Sequence, residues 1–152
     1  MSFSRKKHLT VTLIGCDVSK ISDEAFSGCK AITSISIPNN VTSIGNYTFS
    51  SCTSLSSVSI GSGVKTIGNG AFKGCSILTS LTIPEGVTSI GSSAFAGCNG
   101  LTSITIPESV TYMDAYIFSD DCTDLVIKYQ GVSIHETWDE NWNAYGYTVE
   151  FV

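Results

Sequence analysis

Apolar residues recur along this chain at a fixed interval, and the polar positions between them recur at the same interval. Consecutive copies begin at Ile32, Leu55, Leu78 and Leu101, and their constant spacing is called the repeat interval below. Four apolar rows align between copies. The rows are Ile35, Val58, Leu81 and Ile104; Ile37, Ile60, Ile83 and Ile106; Val41, Val64, Val87 and Val110; and Ile44, Ile67, Ile90 and Met113. A fixed period of this kind predicts a solenoid, because stacked coils bury an apolar face that one coil cannot bury alone.

Each copy contains a stretch, typified by residues 78–83, in which apolar and polar side chains alternate. This pattern predicts a short strand with one buried face. Pro38, Pro84 and Pro107 follow the strand, with Gly61 in the same position, so pairing is expected to end there. Equivalent strands should pair in parallel, about 4.8 Å apart. Three later glycines are expected to permit a turn that most residues resist. They are Gly45, Gly68 and Gly91.

Phenylalanine and cysteine mark every copy. The phenylalanines are Phe26, Phe49, Phe72, Phe95 and Phe118, and the cysteines are Cys29, Cys52, Cys75, Cys98 and Cys122. The last cysteine follows its phenylalanine at a longer distance than the others, so an insertion lies between Phe118 and Cys122. We interpret both sets as columns that fill the interior. Parallel Cβ directions suit a disulfide poorly and a linear column does not form a tetrahedral zinc site, so free buried thiols are expected.

The chain of 152 residues is long enough for one domain with a hydrophobic core. Within it we distinguish an N-terminal cap with a first irregular repeat (1–31), four regular repeats (32–124) and an aromatic C-terminal cap (125–152). No segment is long enough to span a membrane.

The N-terminal segment has two interpretations. Basic residues 5–7 precede a short apolar run ending in Cys16, which is typical of a bacterial lipoprotein signal. The repeat register also continues through Leu9, Ile14 and Ile21, which favours a capping coil. A clear export signal is not found.

The net charge of −5 is unevenly distributed, because residues 1–76 carry +4 and residues 77–152 carry −9. The two charged ends are expected either to keep the molecule soluble or to support weak end-to-end self-association. Basic residues are few and are not interleaved with aromatic residues, so nucleic acid is not a predicted partner.

Catalytic and metal sites find little support in the sequence. His8 and His135 lie outside the repeat positions, and no nucleophile or phosphate-loop motif is present. Asp120, Asp121 and Asp124 cluster at the insertion, where an acidic bend is the first interpretation and a calcium site the second. We therefore predict a protein that is not an enzyme and needs no cofactor or metal.

The pattern Leu-x-x-Ile-x-Ile-Pro-x-x-Val-x-x-Ile-Gly-x-x-Ala-Phe-x-x-Cys, followed by residues 78–98 with Leu81 in one Ile position, resembles the BspA-like class of leucine-rich repeats. The resemblance implies a β-rich, right-handed leucine-rich-repeat solenoid with short parallel strands on its concave face. It also implies a bacterial surface or secreted protein that binds a protein or glycan partner in adhesion. A structural spacer and an intracellular regulatory repeat domain are the alternatives.

In leucine-rich repeats the outward-pointing strand residues form the concave face, the name used for this surface below. Here these positions form two columns of small hydroxyl residues, which are the candidate binding residues. They are Ser34, Ser57, Ser80 and Ser103, and Ser36, Ser59, Thr82 and Thr105. The aromatic residues Trp138, Trp142 and Tyr145 are expected to cover the end of the solenoid, with a ligand platform as the alternative.

Overall fold

Each of the first five coils contributes one longer strand and one two-residue strand, and equivalent strands of neighbouring coils pair in parallel except at one junction between longer strands. The computed structural model describes residues 9–12 and 18–152. The strands described are β1 (Leu9–Thr12), β2 (Lys20–Ile21), β3 (Ile32–Ile37), β4 (Ser43–Ile44), β5 (Ser57–Ile60), β6 (Thr66–Ile67), β7 (Ser80–Thr82), β8 (Ser89–Ile90), β9 (Ser103–Ile106), β10 (Tyr112–Met113), β11 (Val126–Tyr129) and β12 (Thr148–Phe151). No helix forms in these residues. The predicted parallel-strand solenoid is therefore confirmed. His8 and Cys16 lie outside the described residues, and both interpretations of Cys16 stay predictions.

The strands form three sheets. The short strands make one continuous sheet in the order β10-β8-β6-β4-β2, whereas the longer strands divide into β1-β3-β5 and β12-β11-β9-β7. Ladder partners from β2 to β11 are separated by the repeat interval, as in the pairs Ser34–Ser57 and Ser80–Ser103, whereas the partners in most of β1–β3 and in β11–β12 are not. The sequence period therefore sets the strand register directly.

The interior is filled by the predicted columns. Four successive phenylalanine pairs stack with ring centroids between 5.3 and 6.0 Å apart. The thiols of Cys52, Cys75 and Cys98 donate to backbone carbonyls of the preceding coil at 3.1–3.2 Å. The cysteines of the repeat column are free, as expected, although Cys29 is only partly buried. These contacts repeat at each coil and hold neighbouring coils together.

The insertion near Phe118 is compensated before the next strand begins. Leu125 follows Leu101 by more than the repeat interval, yet Ile127 and Tyr129 pair with residues of β9 at the repeat interval itself. Fewer residues therefore separate Leu125 from the start of β11 than separate Leu101 from the start of β9, and this difference offsets the insertion. Tyr129 occupies the buried position of an isoleucine and is 1% exposed. The sixth coil consequently rejoins the sheet.

The expected role of three glycines in turns is wrong. Gly45, Gly68 and Gly91 do not have positive φ. They are required because a Cβ at each position would approach the backbone of the preceding coil, for example 2.6 Å from Asp23 N at Gly45. The left-handed positions lie elsewhere, and Tyr47 is among the non-glycine residues that adopt this conformation, with φ of 52°.

Candidate binding surface

The eight predicted hydroxyl residues lie on four neighbouring strands. Ser34 and Ser36 are on β3, Ser57 and Ser59 on β5, Ser80 and Thr82 on β7, and Ser103 and Thr105 on β9. They point away from the core because side chains alternate along a strand, and the residues between them, such as Ile35, Leu81 and Ile104, are buried. Each residue has its partner directly across a ladder within β3–β5 or within β7–β9. The sequence pattern thus places all eight on one face.

The concave face is interrupted in the middle. No strand ladder joins β5 to β7 among the described strands, although their Cα atoms approach within 8 Å. Across the same coil junction the short strands β6 and β8 pair, and Phe72 stacks on Phe95. The two coils therefore stay joined at the core and at the short strands, while their long strands separate.

Exposure along the two hydroxyl columns follows this interruption. Ser57, Ser59, Ser80 and Thr82, which flank it, are exposed, whereas Ser34, Ser36, Ser103 and Thr105 are half-buried. Below them, Val58 and Ile60 are half-buried, although the equivalent Ile35 and Ile37 are each only 2% exposed. Separation of the strands thus uncovers part of the apolar floor of the sheet.

The separation forms a groove of about 340 Å³. Its walls and floor are formed by Ser56, Ser57, Val58, Ser59, Ile60, Ser80, Leu81, Thr82 and Pro84. These described residues combine hydroxyl groups with aliphatic carbons and carry no charge. The sequence does not predict the groove, because every strand position in this junction keeps the repeat pattern. The departure nearest to it is Gly61, which replaces the proline that ends other strands.

The hydroxyl columns end in charged residues that are not among the predicted site residues. Lys128 on β11 pairs with Thr105, and Glu150 on β12 pairs with Lys128. The stretch from Leu125 to Gly131 does predict a strand, and extending the alternation by one coil would have located Lys128. The concave face is therefore neutral from β3 to β9 and bears both charges at its C-terminal end.

The aromatic residues of the C-terminal segment differ in exposure. Trp138 and Trp142 are 7% and 8% exposed and contact each other edge-on, with centroids 4.9 Å apart. The Trp138 indole N–H donates to the carbonyl of Val110 at 2.9 Å. Tyr145 is 49% exposed. Burial of both indoles leaves little ring surface for a ligand, which supports the capping interpretation.

The cysteine column is chemically protected. Burial raises the pKa of Cys52 to about 11 and, together with repulsion from Cys122, the pKa of Cys98 to about 12. Desolvation by burial also raises the pKa of Cys75 and of Cys122. Because the thiolate is the reactive form of cysteine, these thiols are unreactive near neutral pH.

The acidic residues at the insertion form no metal centre with their neighbours. Within the part of the chain that the structure describes, no group of three or more His, Cys, Asp and Glu side chains is placed to hold a metal ion. Asp121 accepts a hydrogen bond from the Ser119 hydroxyl at 3.5 Å. His135 Nδ1 lies 2.7 Å from the hydroxyl oxygen of Thr137. None of the described residues forms a helix long and apolar enough to cross a bilayer.

Stacked coils with parallel strands, a strict repeat interval and a column of phenylalanines define a leucine-rich-repeat protein. The profile of the BspA type leucine rich repeat region matches residues 2–127 in six copies, and the chain belongs to this family. No curated protein sequence matches the chain.

Solved structures of bacterial leucine-rich-repeat proteins are similar to this one. A leucine rich cell surface protein from Faecalibacterium prausnitzii superimposes with a TM-score of 0.74 at 34% identity, over 91% of this chain and 34% of its own length. The Treponema pallidum leucine rich repeat protein matches with a TM-score of 0.59 at 24% identity, over 96% and 87% of the two chains. The pneumococcal vaccine antigen PcpA matches with a TM-score of 0.65 at 13% identity, over 97% and 42%. The last two similarities show the fold alone. The chain spans about a third of the length of the Faecalibacterium protein.

Proposed function

We propose that this protein is a non-enzymatic binding module of a bacterial cell surface or secreted protein, and that it acts in adhesion through its concave face. The observation that carries the proposal is the exposed, uncharged hydroxyl surface around Ser57, Ser59, Ser80 and Thr82. Repeat solenoids usually act by offering an extended surface, and serine and threonine can both donate and accept hydrogen bonds. The cell-surface location is supported by the description of the Faecalibacterium protein.

The affinity of one such face for a protein or glycan partner is expected to be low. Hot spots of tight interfaces are enriched in Trp, Tyr and Arg, and the eight candidate residues are all Ser or Thr. Small hydroxyl residues instead suit contacts that become useful when many copies act together, since linked sites raise the effective concentration of the partner.

A pull-down against matrix proteins and glycans tests the proposal. The wild-type chain is compared with a Ser80→Arg/Ser103→Arg variant, which places two bulky cations on β7 and β9. A Thr66→Arg/Thr88→Arg variant is the matched control, because these exposed hydroxyl residues lie on or beside the short strands. Loss of capture in the first variant alone supports the concave face, and equal capture by all three proteins rules that face out.

A structural or assembly role is the second candidate, and the opposite charges of the two halves of the chain favour it. Head-to-tail contacts would bring a basic end to an acidic end. Light scattering after size exclusion, at low and at high salt, tests this role. Self-association that disappears at high salt supports it, and a monomer under both conditions at high protein concentration contradicts it.

A further inference from the structure

We propose that the groove between β5 and β7 binds a neutral saccharide of one or two sugar rings. This inference rests on the proposed role of the concave face in binding, and it names the class of ligand and its position. It depends on three properties of the groove, which are its size, the chemistry of its walls and floor, and its lack of charge.

Size excludes a peptide strand inserted between the two strands. Such a strand would require β5 and β7 to be about 9.6 Å apart, twice the usual spacing, whereas their Cα atoms approach within 8 Å. The volume of 340 Å³ is near the lower limit of small-ligand sites, which span about 300–1,000 Å³. The groove therefore suits a compact group that enters from the open face.

The walls and the floor match the two surfaces of a sugar ring. Ser57 and Ser59 on one side, and Ser80 and Thr82 on the other, are exposed hydroxyl groups that can donate or accept hydrogen bonds. Between the walls, the partly uncovered side chains of Val58 and Ile60 offer an aliphatic floor. A pyranose carries hydroxyl groups around its rim and C–H groups on its faces, so it can satisfy both surfaces at once.

The strand edges add further polar groups. Elsewhere on this face, backbone hydrogen bonds link equivalent positions, as in Ser56 N–H to Thr33 O and Thr102 N–H to Thr79 O, each at 2.9 Å. With no ladder between β5 and β7, the facing backbone groups of these strands are open to solvent or to ligand hydroxyls. A ligand can therefore gain hydrogen bonds here that intact ladder junctions do not offer.

Charge decides the class of saccharide. The described lining residues are all uncharged, so an acidic sugar or a phosphate would lose hydration without gaining a counter-charge. A neutral sugar avoids this cost. No aromatic residue lines the groove, and a single site should bind with a dissociation constant on the order of 1 mM.

Biolayer interferometry with the full chain tests the proposal. The probes are albumin conjugated with glucose, galactose, mannose, N-acetylglucosamine or lactose, with sialyl-lactose conjugate and bare albumin as controls. Thr82→Arg is the groove variant. Thr66→Arg is its matched control, since Thr66 is also an exposed threonine on a strand but lies on β6 and does not line the groove. Thr82→Ser keeps the hydroxyl group, and the thermal midpoint of each variant confirms folding.

We expect at least one neutral conjugate to bind, with binding reduced about tenfold or more in Thr82→Arg and changed less than about twofold in Thr66→Arg and Thr82→Ser. Equal losses in both arginine variants would overturn the groove as the site of saccharide binding. Preferential binding of the sialyl-lactose conjugate would contradict the proposal that the saccharide is neutral. If no conjugate binds but the Ser80→Arg/Ser103→Arg variant loses capture of deglycosylated proteins, the saccharide inference fails and the proposed function stands.

Discussion

Phe72 and Phe95, which occupy the same position in successive repeats, lie face to face in adjacent coils with ring centroids 5.8 Å apart and planes inclined by 10°. Both are fully buried. Their stack crosses the same junction at which β5 and β7 separate on the concave face. Cohesion of the two halves of the solenoid therefore depends on the interior columns and on the short strands.

Replacing Phe72 with alanine should lower the free energy of unfolding by about 3–5 kcal/mol, since it leaves a cavity and removes two stacking contacts. Urea denaturation measures the loss. Phe26→Ala is the control, because Phe26 is only partly buried and should cost clearly less. Equal losses would show that the central stack has no special role.

Alkaline pH should destabilise the fold through the thiol column. An unfolded thiol ionises near pH 8.5, whereas burial raises the pKa of Cys52 to about 11 and of Cys98 to about 12. Below about pH 8.5 both states keep the proton and the stabilisation is complete. As the pH rises from there toward these native pKa values, only the unfolded state loses the proton. Each thiol then removes about 1.4 kcal/mol of stability per pH unit.

A Cys98→Ala variant isolates this effect. Urea midpoints measured between about pH 7 and pH 10 should fall less steeply for the variant than for the wild type, because one titrating thiol is absent. The two curves should run parallel below about pH 8. Identical slopes above that pH would contradict a protected thiol at this position.

Alanine substitutions at two glycines can distinguish the cost of backbone strain from the cost of side-chain crowding. Gly70 and Gly74 have φ of 57° and 76°, so alanine at either position should cost about 1–2 kcal/mol. A Cβ at Gly70 would also lie 2.4 Å from Cε1 of Tyr47, whereas the nearest atoms at Gly74 are 3.6 Å away. Gly70→Ala should therefore cost about 1 kcal/mol more than Gly74→Ala.

A double-mutant cycle tests the assignment of this excess to Tyr47. In a Tyr47→Ala background, the cost of Gly70→Ala should fall to that of Gly74→Ala. An unchanged difference would place the crowding elsewhere. Thermal or urea unfolding of the four proteins of the cycle and of Gly74→Ala is sufficient for the measurement.

The C-terminal aromatic residues should differ in what they contribute. Trp138→Ala should cost about 3–5 kcal/mol, and Trp138→Phe about 1–3 kcal/mol because the carbonyl of Val110 loses its donor. Tyr145→Ala should change stability by less than about 0.5 kcal/mol, since the side chain is half exposed. A Trp138→Ala variant that keeps its stability but loses a ligand would instead favour the aromatic platform.

Much of the fold was predictable because the repeat is strict. The alternation around Leu81 and Ile104 predicts short strands, and β7 and β9 pair in the expected register. The Phe and Cys columns were also predictable, since a constant repeat interval brings like side chains together in successive coils. Concave positions such as Ser80 and Thr82 follow from the same alternation.

Other features depend on distances between coils, which the pattern does not contain. The sequence shows that a glycine recurs at the position of Gly45 in successive repeats. Only the structure shows the reason, which is the close approach of the Asp23 backbone in the preceding coil. The insertion after Phe118 is visible in the sequence, whereas its compensation before Tyr129 is visible only in the ladder. Burial of Trp138 likewise depends on where the last segment crosses the end of the solenoid.

The sequence by itself determined the solenoid, the strand register and the side chains that face inward, because stacked coils must bury each apolar row against its own copy. Only the tertiary structure decided that the concave sheet is divided between Ser57 and Ser80. The physical reason is that the apolar rows continue without a break through this junction. At this junction the buried core, the pairing of β6 with β8 and the Phe72–Phe95 stack bury those rows whether or not the long strands exchange hydrogen bonds.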